Sequence, residues 1–301
     1  MRVEFFGVRG STPCDGPSVS RYGGNTSCVV VEAPGESPLI LDLGTGLRGY
    51  GCGLEAQGRA GGFEGAALLT HLHWDHIQGL PFFGPVSTGG GALDVYGPPY
   101  HDATLSEAFA GVMCPPYFPV RPGDLAGTVR FHDVGSDAFA VGGYEIRSGW
   151  VPHTGPTLGF RIEVAGVSVV YVPDHGSAFG RGGEGTVPQA VLDLCAGADL
   201  LIHDAQYTHE EQEAKARFGH CTVEYAVEVA RRSGVRGLAL FHHDPAHSDA
   251  LVDALAALAA ERAAHAGGFE VVAAHEGLVL GVSAGSGAVG PMPAVAGATS
   301  S

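Results

Sequence analysis

Lysine is almost missing from this chain. Lys215 is the only one in 301 residues, and Lys plus Arg total 16 against 32 Asp plus Glu. The resulting net charge of −16 repels the phosphate backbones that nucleic-acid-binding proteins neutralise with basic side chains. Large duplex or transfer-RNA partners are therefore disfavoured, while small substrates stay open. No Cys-x-x-Cys pair occurs among the cysteines at 14, 28, 52, 114, 195 and 221, so they read as free thiols in a reducing compartment. No window offers some 18 uncharged apolar residues, which argues against a membrane span. Residues 1–7 carry no signal-peptide apolar region and enter a strand pattern at once. A soluble cytoplasmic protein is the expectation. Its hydrophobic fraction of 45% is ordinary for a chain that buries a core.

What the chain does have is concentrated in residues 70–79, Thr-His-Leu-His-Trp-Asp-His-Ile-Gln-Gly. His71, His73, Asp75 and His76 follow directly on the apolar run 66–69. In an extended segment, side chains two apart share a face, so His71 and His73 can grip one ion. Asp75 and His76 project as the chain turns and cannot join the same ligand triangle. That split predicts a dinuclear site. Imidazole suits zinc, iron or nickel, and a carboxylate can serve harder ions. Trp74 reads as packing within the loop.

Apolar strands punctuated by Gly-rich turns are expected at 2–6, 28–33, 38–42, 66–70 and 92–96. A second set is expected at 128–133, 139–150, 159–164, 167–172, 199–203, 237–241, 270–274 and 278–282, with a hairpin turning at Ala165-Gly166. Helices are fewer and cluster late. Thr222 caps a helix that Gly234 stops, Ser248 caps another over 249–263, and 187–195 and 209–217 are shorter candidates. Two strand-rich halves with helices between them predict packed sheets under outer helical layers. Residues 86–124 read as a loop-rich lid or surface insertion. Residues 1–283 form the expected domain, and 284–301 an expected disordered tail.

Three further segments end an apolar strand on a ligand type: His153 after Val151-Pro152, Asp174 after Val172-Pro173, and His242 after Leu240-Phe241. Together with Leu41-Asp42-Leu43-Gly44 and the 71–76 cluster, this order of residues resembles the metallo-β-lactamase-fold hydrolases across nearly all of residues 1–282. The resemblance implies an α/β, four-layer αββα sandwich with two divalent metal ions at one edge of the paired sheets. Zinc is the first choice, with manganese or iron as alternatives. It also implies that His71, His73 and His153 hold one metal, that Asp75, His76 and His242 hold the other, and that Asp174 bridges them. Asp42 would support the histidine loop rather than bind metal.

Leu201-Ile202-His203-Asp204-Ala205 and Gly219-His220-Cys221-Thr222 resemble paired motifs of the ribonuclease Z-like phosphodiesterase branch. The usual forms there carry Glu at the position of Asp204 and Ser at that of Cys221. The branch implies that Asp204 orients His220, which protonates the leaving oxygen. Asp75, Asp204 and His220 are the expected catalytic residues. Two divalent ions would bring +4 against −3 from Asp75, Asp174 and a bridging hydroxide, a local trap for a phosphodiester anion. The implied reaction is attack of metal-bound hydroxide on phosphorus. A small-molecule phosphodiester is the preferred substrate. A lactonase or thioesterase on the same metals, and a transfer-RNA 3′-processing endonuclease, are the alternatives. A homodimer is an allowed assembly, and Arg9 and Asn25 stand either as substrate contacts or as ordinary turn residues.

Overall fold

Strands buried on both faces need apolar side chains at consecutive positions, and alternate ones then serve different cores. The structure, a computed structural model, describes residues 1–176 and 187–285. In it β1 (Arg2–Gly7), β2 (Cys28–Glu32), β3 (Leu39–Leu41), β4 (Glu64–Leu68), β5 (Ala92–Gly97) and β6 (Thr128–Asp133) lie side by side. A second sheet holds β7 (Ala138–Val141), β8 (Tyr144–Trp150), β9 (Leu158–Val164), β10 (Val167–Val172), β11 (Leu200–Asp204), β12 (Gly237–Phe241) and β13 (Glu270–Ala273). β14 (Val279–Gly281) returns to pair antiparallel with β1 in the first sheet.

The sheets face each other through a core that includes Val29, Val31, Leu39, Leu68, Ile162, Val169, Tyr171, Ile202 and Phe241. Neighbours one position away point outward. Cys28 and Val30 pack with α1 (Gly46–Ala56), α3 (Gly84–Ser87) and α4 (Leu105–Val112), while α2 (Trp74–Ile77) lies at the sheet edge. Leu238 and Leu240 pack with α5 (Gln189–Cys195), α7 (Val223–Ser233) and α8 (Asp249–His265); the short α6 (His209–Lys215) lies between α5 and α7 in the chain. Helices, sheet, sheet and helices make the expected αββα sandwich. One side of each sheet is parallel, β3–β4–β5–β6 in the first and β10–β11–β12–β13 in the second. Their carboxyl ends therefore open at one rim, where ligands of open α/β sheets bind.

Three expectations need correction. Helices do not cluster late: α1 follows β3, although its sequence carries Gly46, Gly49, Gly51 and Gly53, each poor in a helix interior. Tertiary packing overrides propensity here. Leu47, Tyr50 and Leu54 are buried, and a Cβ on Gly51 would stand 3.0 Å from the Phe83 ring. The strand expected over 139–150 is a hairpin, because Gly142 takes φ +56° and lets Val141 pair with Tyr144. The segment 86–124 is not an irregular lid throughout. Besides β5, where a strand was expected, it contains the helix α4, whose cap Thr104 and Glu107 satisfy each other's backbone amides. The tail expected over 284–301 lies outside the described residues from 286 onward. Among the described residues no helix is long and apolar enough to cross a membrane.

Candidate metal centre

Every expected donor sits just past the carboxyl end of a strand, and the folding of the two sheets brings all seven to one rim. His71 and His73 follow β4, His153 follows β8, Asp174 follows β10 and His242 follows β12. Asp75 and His76 lie on the single turn of α2. His71, His73, His153 and Asp174 have ligand atoms all within 4.8 Å of one another, and so do Asp75, His76 and His242. Asp174 stands between the two groups. Its Oδ2 is 3.4 Å from His153 Nε2 and 3.7 Å from His71 Nε2. Its Oδ1 is 3.1 Å from His76 Nε2 and 3.3 Å from His242 Nε2.

The imidazoles are oriented by what holds their outer nitrogens. Asp42 is fully buried and accepts four groups: the Thr70 amide (2.8 Å), the Thr70 hydroxyl (3.0 Å), the Tyr171 hydroxyl (2.9 Å) and His76 Nδ1 (2.7 Å). Because the Thr70 hydroxyl donates to Asp42, its oxygen accepts from His71 Nδ1 at 3.0 Å. His153 Nδ1 donates to the Gly219 carbonyl at 2.7 Å, and His242 Nδ1 to Gln206 Oε1 at 3.0 Å. Four Nε2 lone pairs are thereby turned inward. His73 presents Nδ1 instead, 2.8 Å from His71 Nε2 and 3.2 Å from His153 Nε2.

Converging lone pairs without protons between them repel unless a cation lies among them. His76 Nε2 and His242 Nε2 are only 3.3 Å apart, and buried Asp174 Oδ1 has no hydrogen-bond donor. Burial lowers the pKa of His71 and His153, and burial with the neighbouring His153 takes His73 to about 4, so all three are neutral ligands at pH 7. Burial disfavours charge on Asp174 and Asp75, yet the surrounding imidazoles pull both well below the usual carboxylate range. The donor set and its geometry fit a pair of divalent ions.

His220 stands at the mouth of the same cavity. Its Nδ1 is 2.9 Å from Asp204 Oδ2, and Asp204 is itself pinned by the backbone amides of His175 (3.0 Å) and Gln206 (2.9 Å). The shorter Asp therefore reaches the histidine. Burial opposes charge on His220, but Asp204 outweighs it and raises the pKa. The cavity has a volume of about 600 Å³ and is lined by His73, Trp74, Asp75, Tyr207, Lys215, Phe218 and His220, among others.

Some residues fall elsewhere than expected. Arg9 is neither exposed nor in the cavity. It is fully buried and donates to the carbonyls of Gly23 (2.8 Å), Asp244 (3.1 Å) and His247 (2.9 Å). Asn25 pairs with Glu276. Trp74 is 66% exposed, so it is not packing within its loop. Sequence reasoning passed over Thr70, Tyr171, Gln206, Gly219 and Lys215. Gln206, two residues past Asp204, carried a signal in its closeness to that motif. Gly219 stood in the motif around His220, but its contact with His153 had no signal, and Tyr171 had none at all, since both roles depend on contacts across the fold. Gly219 adopts φ +80°, and a Cβ there would lie 2.7 Å from His153 Nδ1.

Comparison with known proteins agrees with this geometry. A profile described as Beta-lactamase superfamily domain matches residues 65–243. The chain is 32% identical over 249 residues to a Ribonuclease Z of Mycobacterium sp. (strain KMS), a span of 76% of this chain and 80% of that relative. Among solved structures, the metallo-beta-lactamase fold protein YhfI from Bacillus subtilis superposes with a TM-score of 0.67 at 21% identity, covering 92% of this chain and 97% of that one. Zn(2+)-bound PqqB from Methylobacterium extorquens gives 0.67 at 20% identity, covering 94% and 100%. At these identities the two structures speak to the fold alone.

Proposed function

Because the chain belongs to the beta-lactamase superfamily, with Ribonuclease Z relatives, we propose that it is a dinuclear metal-dependent phosphodiesterase acting on a small cyclic or linear phosphodiester. The observation that carries the reading is the Asp204–His220 pair, set at 2.9 Å beside a carboxylate flanked by two imidazole groups. His71, His73 and His153 would hold one ion, Asp75, His76 and His242 the other, and Asp174 both. Zinc suits this mixture of imidazole and carboxylate donors, with manganese or iron as alternatives, and the zinc-bound PqqB of the same fold supports that choice. When bound, such ions supply Lewis acidity toward phosphoryl oxygens and a water acidified to a pKa of about 7.

The chain's own groups do the rest. Asp204 fixes the ring of His220 through Nδ1 and favours its protonated form against the opposing effect of burial, which leaves Nε2, on the far side of the ring from the carboxylate, as the atom that would deliver a proton. That proton goes to the departing oxygen as the P–O bond breaks. Asp42 and Gln206 hold the tautomers of His76 and His242, which keeps both Nε2 atoms available as ligands. All donors come from one chain, so a homodimer would carry two complete centres. The net charge of −16 favours a small substrate over a large polyanion, and the six unpaired cysteines suit the reducing cytoplasm.

The test is turnover of an aryl phosphodiester beside a lactone, a thioester and a precursor transfer RNA, with metal content measured on the same preparation. Phosphodiester turnover that needs metal supports the reading. A kcat/KM higher on the lactone or thioester refutes it, and preference for the precursor RNA moves the substrate to the larger class.

A further inference from the structure

Large apolar side chains left in water are normally scattered. Here they are not. Seven are exposed among the described residues, and five of them, Trp74, Phe82, Tyr100, Tyr117 and Phe218, line the cavities around the metal centre. All five are aromatic. Trp74 is the hinge of the arrangement, because it sits between the donors His73 and Asp75 and lines two adjoining cavities. One is the cavity that holds His220. The other, of about 270 Å³, is walled by Trp74, Phe82, Tyr117 and Phe118 together with aliphatic Ile77 and Val112, and Gln78 also lines it. Phe82 and Phe118 meet edge to face at 5.9 Å, which fixes the orientation of that wall.

We infer that the Trp74–Phe82–Tyr117 wall is a stacking subsite for a planar nucleobase, which makes the substrate a phosphodiester of nucleotide scale. The inference rests on the phosphodiesterase reading for the position of the phosphate. Three observations support the base. Exposed rings, rather than branched aliphatic chains, are what a π-face stacks on, and stacking accepts any base. Gln78 is the polar residue on that lining, and its side chain carries both a donor and an acceptor for a base. The third is electrostatic. None of the residues lining the 270 Å³ cavity is charged, so once the metal centre holds the phosphate, apolar and ring contact is what this cavity offers a substituent. A phosphodiester lodged between the donors and His220 would leave its substituent next to Trp74, since Trp74 borders both spaces.

The chain has two tryptophans, Trp74 and Trp150, so Trp150→Phe leaves Trp74 as the only indole reporter. The metal-loaded full chain carrying this change is titrated with adenosine 5′-monophosphate and with ribose 5-phosphate, which share the phosphate and differ by the base. The expected result is saturable quenching of Trp74 by the nucleotide, at a concentration at least about fivefold lower than for the sugar phosphate. Tyr117→Leu and Phe82→Leu, made separately so that one misfolded variant does not decide the matter, should each shrink that advantage. Equal affinity for both probes overturns the inference, as does quenching by neither. Tighter binding of octyl phosphate than of the nucleotide also overturns it, by identifying an aliphatic-tail site. Binding separates this outcome from the reaction: nucleotide preference without phosphodiester turnover sinks the proposed activity and leaves the stacking subsite standing.

Discussion

Asp42→Asn offers the sharpest test of how the centre is held, because the substitution changes no volume and removes one charge. Asp42 Oδ1 accepts from the Thr70 amide, while Oδ2 accepts from His76 Nδ1 and the Tyr171 hydroxyl, and the Thr70 hydroxyl lies 3.0 Å from each oxygen. An asparagine must put NH₂ at one of these sites. At Oδ1 it would face a backbone N–H, which cannot turn into an acceptor. At Oδ2 the Tyr171 hydroxyl can rotate to accept, and His76 can accept by moving its proton from Nδ1 to Nε2. The second placement costs less, and it converts His76 Nε2 from a lone pair into an N–H. His76 then cannot bind the ion it shares with Asp75 and His242. Losing a partner that orients a ligating histidine costs about 10–100-fold in metal affinity, or roughly 1.4–2.7 kcal/mol. The assay is competition against a chromophoric chelator, resolved into two stoichiometric steps. The Kd of one ion should rise about 10–100-fold, while the ion assigned to His71, His73 and His153 changes far less. Equal weakening of both ions, or no change at all, would refute the tautomer argument.

Other perturbations probe different parts of the site. Gly219→Ala forces a side chain into φ +80° and 2.7 Å from His153 Nδ1; the backbone term alone costs about 1–2 kcal/mol, and the ion opposite the one affected by Asp42→Asn should be lost first, as read by the same chelator titration. His220→Ala should lower kcat about 10²–10⁴-fold for a diester with an alkyl leaving group, yet scarcely affect a p-nitrophenyl ester, whose anion departs without a proton; equal losses on both would remove His220 from the role of acid. Arg9→Met strands the buried Asp244 and His247 carbonyls and the half-buried one of Gly23, and should destabilise by about 3 kcal/mol in chemical denaturation; a loss under about 1 kcal/mol would mean water replaces it. Chelation should lower the Tm, since an ion held at 100 times its Kd stabilises by about 2.7 kcal/mol, and adding zinc back should restore it; an unchanged Tm counts against metal bound in the folded state.

The fold was legible where strand faces spoke for themselves. Val29 to Val31, Val169 to Val172 and Leu238 to Phe241 are apolar runs because both faces are buried, and such runs bounded by Gly and Pro can only be inner strands. The glycine-laden helix α1 was not legible, since its stability comes from burying Leu47, Tyr50 and Leu54 and not from its own propensity. The same physical division runs through the site. Donors could be picked out because each is a polar residue ending an apolar run, a pattern carried by neighbouring residues. What orients them could not be read, because Tyr171 reaches Asp42 across 129 positions and the Gly219 carbonyl reaches His153 across 66.

Arg9 shows why that division matters for function. A charged residue in a glycine turn near the start of the chain invites a role in binding substrate, but its guanidinium is spent on the carbonyls of Asp244 and His247. Those two residues lie in the loop that begins at His242, and the amide of Ser11, two positions from Arg9, donates to Asp75 Oδ2 at 2.7 Å. One buried cation thus ties the amino-terminal segment to the loop carrying one donor while the same segment steadies another. Gly10 between them has no room for a side chain, as a Cβ would lie 2.4 Å from the His242 ring. Arg9 and Gly10 therefore act on the centre through backbone and packing, and a substitution at either should reach the chemistry by moving Asp75 and His242, whereas Ser11 itself lines the cavity.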